Sequence, residues 1–385
     1  MTVALVLFLC SLAAVLYLLL GYPLLLRMLP KTLTPIKKCE TYTPSVSVLM
    51  AVHNGADFLA EKLKNLLALD YPKQLIEIIV VSDGSTDGTD LIAEPFAARG
   101  IKFFAVPRGG KAAALNAGLE RATGSVVFFC DVRQRIEKNA LRHLVANFAD
   151  PTVGAVTGEL KILNPEGAAG EQADMDLYWR YELWVRALHS AIWSMFNTTG
   201  CLYAMRRELC LPLPKGTIGD DAVLPLAAYL RGFRIVFDPA AVAHDFATKE
   251  GTDWKRRMRT LSGMWQVYSI YPRLLFFPHR MWLHFLSHKL GRLLLPWAIL
   301  GTLVAAFFLP GSPWKWLAIG VQLGVVFAAF LDPLVPDSMP GKRLISLCRT
   351  FVVLNYAALL SVQVLFVSPL KLWGVTKVDR ATSAR

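Results

Sequence analysis

The sequence predicts an α/β domain, its sheet largely parallel and covered by helices on both faces, inserted between N-terminal and C-terminal membrane-spanning helices. Three observations carry that expectation. Hydrophobic residues fill 54% of the 385 positions and the mean hydropathy is +0.42, more apolar than a soluble globular chain of this length. Long uncharged stretches lie towards both ends, and between them short β-type runs alternate with helical patterns.

The first element is a membrane anchor. Residues 3–26 (VALVLFLCSLAAVLYLLLGYPLLL) hold no charge, over a stretch longer than the roughly 20 residues a bilayer crossing needs. Nothing basic precedes them and the run exceeds a signal-peptide core, so the segment 1–28 reads as an uncleaved helix. Three further apolar stretches, at about 293–309, 314–331 and 350–370, form a C-terminal membrane region over 291–372, followed by a tail, 373–385.

The formal charge of +12 is compatible with nucleic acid, anionic lipid or a phosphate-bearing ligand. Much of it flanks the membrane segments, at Arg27, Lys31, Lys37 and Lys38 and again at Lys342, Arg343 and Arg349. Positive-inside topology then puts the central domain in the cytoplasm. A first helix running inward and three later crossings leave the C-terminus outside, against the basic tail of Lys371, Lys377, Arg380 and Arg385. A re-entrant or interfacial segment at 283–297, with Lys289 and Arg292 inside it, would resolve that conflict. The six cysteines are scattered without CxxC spacing, which indicates neither zinc nor a disulfide framework but reduced packing residues.

The central domain, residues 40–250, reads as strand and helix in turn. SVSVLMAV (45–52) is a buried-strand run ending at His53-Asn54-Gly55, and ADFLAEKLKNLLAL continues as a helix to the break at Tyr71-Pro72. IEIIVVSD (76–83) is a second strand, closed by the turn cluster GSTDGT and followed by the helical DLIAEPFAAR. IKFFAVP is a third strand, GGKAAALNAGLERA a helix, and VVFFCD a fourth strand. Ligands of such sheets bind beyond the carboxyl ends of the strands at the topological switch point. His53-Asn54, Asp83 and Asp131 all fall at such ends. One acid after a strand is as often a turn cap as a ligand-binding group, but three polar strand ends on one sheet point to a site.

The second half adds candidates. Residues 174–196 form a long aromatic-rich helical pattern, most simply packing surface, and NTTGCLYAMRREL (197–209) leads a small hydroxyl-rich turn into a strand. Gly219-Asp220-Asp221 opens the helix AVLPLAAYLRG, where acids are favoured by the helix dipole and by capping and where a rigid element could also hold a general base. Residues 251–290 read as interfacial amphipathic helices, and DWKRRMRTLSGMWQ within them sets Arg256 and Arg259 one turn apart on a basic face suited to anionic headgroups. There is no GxGxxG and no GxxxxGK[ST], so neither dinucleotide nor P-loop chemistry is indicated.

The ordered set AVHNG, VSDGSTDGT, GGKAAALNAGL, FFCDVRQ, NTTGCLYAMRREL, GDDAVLP and RRMRT resembles the membrane-embedded branch of the family 2 inverting glycosyltransferases, which includes cellulose, chitin, hyaluronan and poly-N-acetylglucosamine synthases. The resemblance covers roughly residues 44–265. It implies a GT-A type, Rossmann-like mixed sheet and an integral, multi-pass protein of the bacterial inner membrane. It also implies a nucleotide diphosphate sugar donor, a glycan or lipid-linked acceptor, contact with membrane lipid and no nucleic acid. By that resemblance Val52, Asn54, Asp83 and Lys111 line the nucleotide, with Asp83 reading the base. Asp131 matches the first acid of the DxD motif, which holds Mg2+ or Mn2+ on the diphosphate. Asp221 matches the catalytic base, preceded by Asp220, and Thr199-Gly200 match the turn lining the sugar and acceptor pocket. Arg256 and Arg259 fall where the family's QxxRW motif has Gln and Arg.

The residue types suit the chemistry that the resemblance implies. Inverting transfer needs a carboxylate to take the acceptor hydroxyl's proton and cations where charge develops on the leaving diphosphate. Two departures stand out. Arg133 replaces the second DxD acid, which leaves metal affinity dependent on the diphosphate, since magnesium commonly binds through one or two carboxylates plus phosphate. Thr260 replaces the aromatic of QxxRW, which leaves processive and single addition both open.

Overall fold

The computed structural model describes residues 2–29, 35–163, 171–246, 253–311, 313–336 and 338–366. The chain divides into two compact units: an α/β unit built on Lys31–Leu163 and His189–Lys249, and a helical unit of Met1–Pro30, Asn164–Leu188 and Glu250–Ser368.

The α/β unit is organised by one eight-stranded mixed sheet. Its strands are β1 (Val46–Val52), β2 (Ile76–Asp83), β3 (Ile101–Val106), β4 (Val126–Phe129), β5 (Arg135–Ile136), β6 (Val153–Leu163), β7 (Tyr203–Arg206) and β8 (Arg234–Phe246). Their order across the sheet is β3-β2-β1-β4-β7-β6-β8-β5. The first four strands are parallel, with Leu49 of β1 opposite Ile79 on one side and Phe129 on the other. These strands read as continuous apolar runs because both faces are covered: Val48, Leu49, Met50, Ile79, Val80, Val81, Val127 and Phe128 are all fully buried. The sheet is not parallel throughout, since β7 runs antiparallel to both β4 and β6, while β6 and β8 pair in parallel.

Short helices join the strands: α1 (Ala56–Leu67), α2 (Thr89–Ala97), α3 (Lys111–Leu119), α4 (Ala140–Ala146) and α5 (Asp220–Leu230). Helix α3 lies so close to β1 that a Cβ added at Gly118 would stand 2.2 Å from Leu49 Cδ1. Only glycine lets the helix seat there without displacing a core leucine. At the other strand of the switch, the rings of Phe129 and Tyr203 stack at 4.5 Å across the antiparallel β4–β7 pair, a cross-strand contact that fixes register.

Among the described residues of the helical unit four helices are long and apolar enough to cross a membrane: Val3–Met28, Trp282–Phe307, Pro313–Leu334 and Lys342–Leu365. Their outer faces carry exposed apolar side chains such as Leu20, Trp314 and Phe330. Small residues bring the first two together. An added Cβ would lie 2.4 Å from Leu18 Cδ2 at Gly291 and 2.7 Å from Ser11 Oγ at Gly301, the close approach expected where helices associate without a hydrophobic driving force between them. Phe8 fills the same seam against Ala305 and Ala306.

The second of these helices begins earlier than the apolar stretch 293–309 and takes in residues 283–297, singled out above as re-entrant or interfacial, along with Lys289 and Arg292. The buried Glu182, on the helix Glu171–Ile192, accounts for part of that: it ion-pairs with Arg292 and lies 3.4 Å from His288 Nε2. Nearby Tyr22 OH meets His284 Nδ1 at 3.2 Å and Tyr17 OH meets Ser287 Oγ at 2.7 Å. A second polar knot joins the last two helices, where Asp332 accepts from Ser346 (2.7 Å) and pairs with Lys342 (2.9 Å) and Arg349 (2.9 Å). The basic tail beyond residue 366, and with it the side of the C-terminus, lies outside the described residues.

Candidate active site

The site forms where β1 separates β2 from β4, at their carboxyl ends. Val52 closes β1 and is buried. The turn beyond it is held by reciprocal bonds to the turn beyond β2. Asn54, the single non-glycine with positive φ (49°) among the described residues, donates its N–H to Ser85 Oγ (3.1 Å) and accepts from Thr86 N–H (2.9 Å). Asp87 caps the start of α1 through Ala56 N–H (3.0 Å), and Thr89 Oγ1 accepts from Gly55 N–H (3.0 Å). Burial would raise the Asp87 carboxyl, but hydrogen bonds from Thr89 and Ala56 hold it below its ordinary value. The two turns therefore form one rigid ledge.

Asp83 ends β2 and is 2% exposed. Its carboxylate accepts from the N–H groups of Gly109 (2.7 Å) and Gly110 (3.0 Å) and pairs with Arg108. Gly110 holds φ 87° and ψ 165°, a conformation reserved for glycine, and this lets consecutive N–H groups face one acid. The next residue, Lys111, opens α3. His53 Nδ1 meets the Asp83 carbonyl at 2.8 Å, and burial together with Arg108 lowers its imidazole below the ordinary range.

Lys111 links the two halves of the sheet. Its ammonium lies 2.9 Å from Asp131 Oδ1 and 3.1 Å from Asp220 Oδ1. Burial disfavours its charge, yet Asp131 and Asp220 outweigh burial and raise the ammonium above its ordinary value. Asp220 is buried and also accepts from Tyr203 OH at 3.3 Å. That phenol is held well above its usual range by burial and by Asp220, so it remains a donor. Asp131, by contrast, keeps its side chain 36% exposed.

Asp221 follows at the start of α5, half-buried, with its backbone carbonyl accepting from Thr198 N–H (2.8 Å) and Oγ1 (2.9 Å). Thr199 is anchored by its N–H to Thr157 Oγ1 at 2.9 Å. At Gly200 an added Cβ would come within 3.4 Å of Asp221 Oδ2, so the turn and the second acid face each other. The α/β unit thus brings together Val52, Asn54, Asp83, Lys111, Asp131, Thr199, Gly200, Asp220 and Asp221. Arg259 is half-buried on the helix Asp253–Ile270 of the helical unit. The Arg256 side chain lies outside the described residues.

Several contributors carry no obvious sequence signal. Arg133, in the place of a second acid, forms a two-pronged pair with the buried Asp245: Nε to Oδ1 at 2.9 Å and Nη2 to Oδ2 at 2.5 Å. Gln134 Nε2 donates to the same carboxylate at 2.9 Å. From beneath, the buried Lys62 of α1 donates to the Gln134 carbonyl (2.7 Å), and Asn65 bonds both N–H and C=O of Ile136. The segment after Asp131 is therefore fixed on two sides. Cys130 and Cys201, which flank the stacked rings in sequence, are buried thiols pushed up by burial and are packing residues.

Comparison with known proteins agrees with this geometry. The chain is 28% identical over 229 residues to a poly-beta-1,6-N-acetyl-D-glucosamine synthase of Staphylococcus aureus, covering 58% of this chain and 55% of that protein. It is 30% identical over 225 residues to the probable glycosyltransferase YdaM of Bacillus subtilis, covering 55% and 52%. The match thus spans about half the length of these curated relatives. A solved structure of the mannosyltransferase PcManGT from Pyrobaculum calidifontis, in complex with GDP-Man and Mn2+, overlays with a TM-score of 0.70 at 25% identity, covering 95% of this chain and 98% of that one. The family described as glycosyl transferase family 2 matches residues 47–211, the stretch that holds all but the first residue of β1, β2 to β7, Asp83, Lys111 and Asp131, and the mixed sheet is of GT-A type.

Proposed function

We propose that the protein is a membrane-bound inverting glycosyltransferase that moves a sugar from a nucleotide diphosphate sugar to a glycan or lipid-linked acceptor, in the synthesis of a cell-surface or exopolysaccharide. One observation carries the reading: Lys111 bridges Asp131 and Asp220 at the carboxyl ends of the parallel strands, with Asp221 on the adjoining helix start. The relatives' family and the donor named in the mannosyltransferase structure support it.

Each residue has a role in that reaction. Asp83 and the Asn54 ledge receive the base, and Lys111 meets the diphosphate. Asp221, held at a rigid helix start beside Gly200, takes the proton from the acceptor hydroxyl. Asp220, the acid that precedes it, holds Lys111 in place. Supplying the positive charge that inverting transfer needs where the diphosphate leaves is the role the resemblance assigns to Arg256 and Arg259.

The donor set fits a divalent cation of a particular kind. Asp131 offers one exposed carboxylate, Arg133 is taken up by Asp245, and no cage of three or more metal-binding side chains forms among the described residues. Such a site suits Mg2+ or Mn2+ shared with donor phosphates; bound there, the ion would offset charge on the leaving diphosphate. Asp131 is the residue to hold it.

The four apolar helices and the basic residues flanking them support a multi-pass protein of the bacterial inner membrane, with its α/β unit in the cytoplasm. Thr260 at the aromatic position of QxxRW leaves room for a second reading, single addition to a lipid acceptor. The test is to incubate the purified full chain with UDP- and GDP-sugars and Mn2+ or Mg2+ and follow nucleoside diphosphate release, with product mass resolving one sugar from many. Absence of release with every donor and acceptor offered would refute the enzymatic reading.

A further inference from the structure

We propose that Lys111 is an exchangeable counter-cation. In the donor-free protein its ammonium holds the metal-side carboxylate of Asp131, and it transfers to the donor's diphosphate when nucleotide and divalent cation arrive together. The inference rests on the donor-site reading above and adds to it an order of assembly.

Four observations support it. The ammonium is 2.9 Å from Asp131 and 3.1 Å from Asp220, so a divalent cation at Asp131 meets a resident positive charge at contact distance. Asp221 adds attraction for the same ammonium, but among the described residues no group of three or more metal-binding side chains forms a cage for the divalent ion. Asp220 is buried and braced by Tyr203, whereas Asp131 is 36% exposed; the lysine therefore keeps an anchor on the inner acid when it leaves the outer one. Finally, Lys111 directly follows the two N–H groups that fill Asp83. A nucleotide engaging Asp83 must disturb these bonds, and the disturbance reaches the lysine through a single peptide.

The alternative is a permanent structural ion pair, which leaves Lys111 on Asp131 in every state. The two differ in sign. If the lysine exchanges, its removal strengthens binding of the metal alone, because a like charge has gone, and weakens binding of the metal with nucleotide, because a phosphate partner has gone. If it is permanent, removal shifts both in the same direction. At contact distance, even a well-screened unit charge is worth about a factor of ten in affinity.

The experiment measures Mn2+ binding to the full chain in detergent by loss of the free-ion electron paramagnetic resonance signal, with Mn2+ alone and with Mn2+ plus UDP or GDP. Wild type is expected to bind Mn2+ at least about tenfold more tightly with the nucleotide it accepts. K111M is expected to bind Mn2+ alone about tenfold more tightly than wild type and Mn2+ with nucleotide more weakly. K111Q, which can still hydrogen-bond both acids, is the second variant should K111M fail to fold, and it carries the same expectation. Shifts of the same sign in both arms, or no shift without nucleotide, overturn the exchange. D131N separates this from the parent reading: if nucleotide-dependent Mn2+ binding survives D131N, the metal assignment itself falls, whatever Lys111 does.

Discussion

Arg133 and Asp245 lie 112 residues apart and close a two-pronged ion pair, with Nε at 2.9 Å and Nη2 at 2.5 Å from the two carboxylate oxygens. The arginine that looks, in sequence, like a lost metal ligand is a strut that ties the segment after Asp131 to the end of β8. Removing one partner leaves a buried charge unpaired, which costs about 3 kcal/mol or more. R133A and D245N should therefore lower the melting temperature of the detergent-solubilised protein by several degrees and raise the metal concentration needed for half-maximal turnover. A variant that melts like wild type would show that the pair is not a strut. R133D, which restores a DxD sequence, should not improve metal binding, because it sets a second acid against Asp245.

Asp221 faces Gly200 from the start of α5. D221N preserves the shape and removes the base, so transfer should fall by about 10²- to 10⁴-fold while nucleotide binding and melting stay near wild type. Calorimetric titration with the nucleoside diphosphate, run beside the turnover assay, separates the two. Unchanged turnover would remove Asp221 from the role of base.

Glu77, near the start of β2, accepts from Lys102 (2.7 Å), Ser47 Oγ (2.5 Å), Thr123 N–H and Thr123 Oγ1 (both 2.7 Å). Burial raises its carboxyl, but these donors win and hold it down at about 2 against a reference of 4.5. A depressed folded-state value contributes stability that is fully present above the unfolded pKa and is lost as pH falls towards the folded one. The α/β unit should thus lose stability between about pH 4.5 and 2, and E77Q should be destabilised at pH 7 yet flatter across that window. Denaturant midpoints at several pH values check both; parallel curves for the two proteins would contradict the assignment.

Gly118 leaves no room for a methyl group against Leu49. G118A should cost about 1–3 kcal/mol through displacement of the leucine, and G118V more, read as a lower chemical-denaturation midpoint. A shortened side chain opposite, in G118A/L49A, should recover part of the loss. Additive losses in that double variant would show that the two positions do not meet.

Much of the sheet was legible because parallel strands buried on both faces leave long apolar runs, and β1, β2 and β4 carry them, while the edge strand β3 keeps only Phe103-Phe104-Ala105-Val106 after the exposed Lys102. Asp83 and Asp131 were legible as polar residues that follow apolar runs and Asp220-Asp221 as acids that open a helix, while the roles proposed for them came from the family resemblance. The antiparallel insertion of β7 was not, because pairing direction leaves no mark on a four-residue strand. Asp245, Lys62 and Asn65 escaped because their meaning lies in partners 111, 72 and 71 residues away. The second apolar helix was read short for the same reason. Lys289 and Arg292 depress its local hydropathy, and Glu182, which pairs with Arg292, sits 110 residues earlier in the chain.

The small-residue seam between the first helix and the second has a practical consequence. Gly291 and Gly301 exist to admit Leu18 and Ser11, so the N-terminal helix is a shaped part, not an interchangeable leash. A chain shortened to begin after Met28 exposes a groove cut for a partner it no longer has. Swapping in an unrelated hydrophobic leader of equal length restores membrane attachment but not that fit. Expression strategies, and any recombination that exchanges such leaders, are constrained by two glycines, Gly291 and Gly301, that lie 273 and 290 residues beyond Leu18 and Ser11.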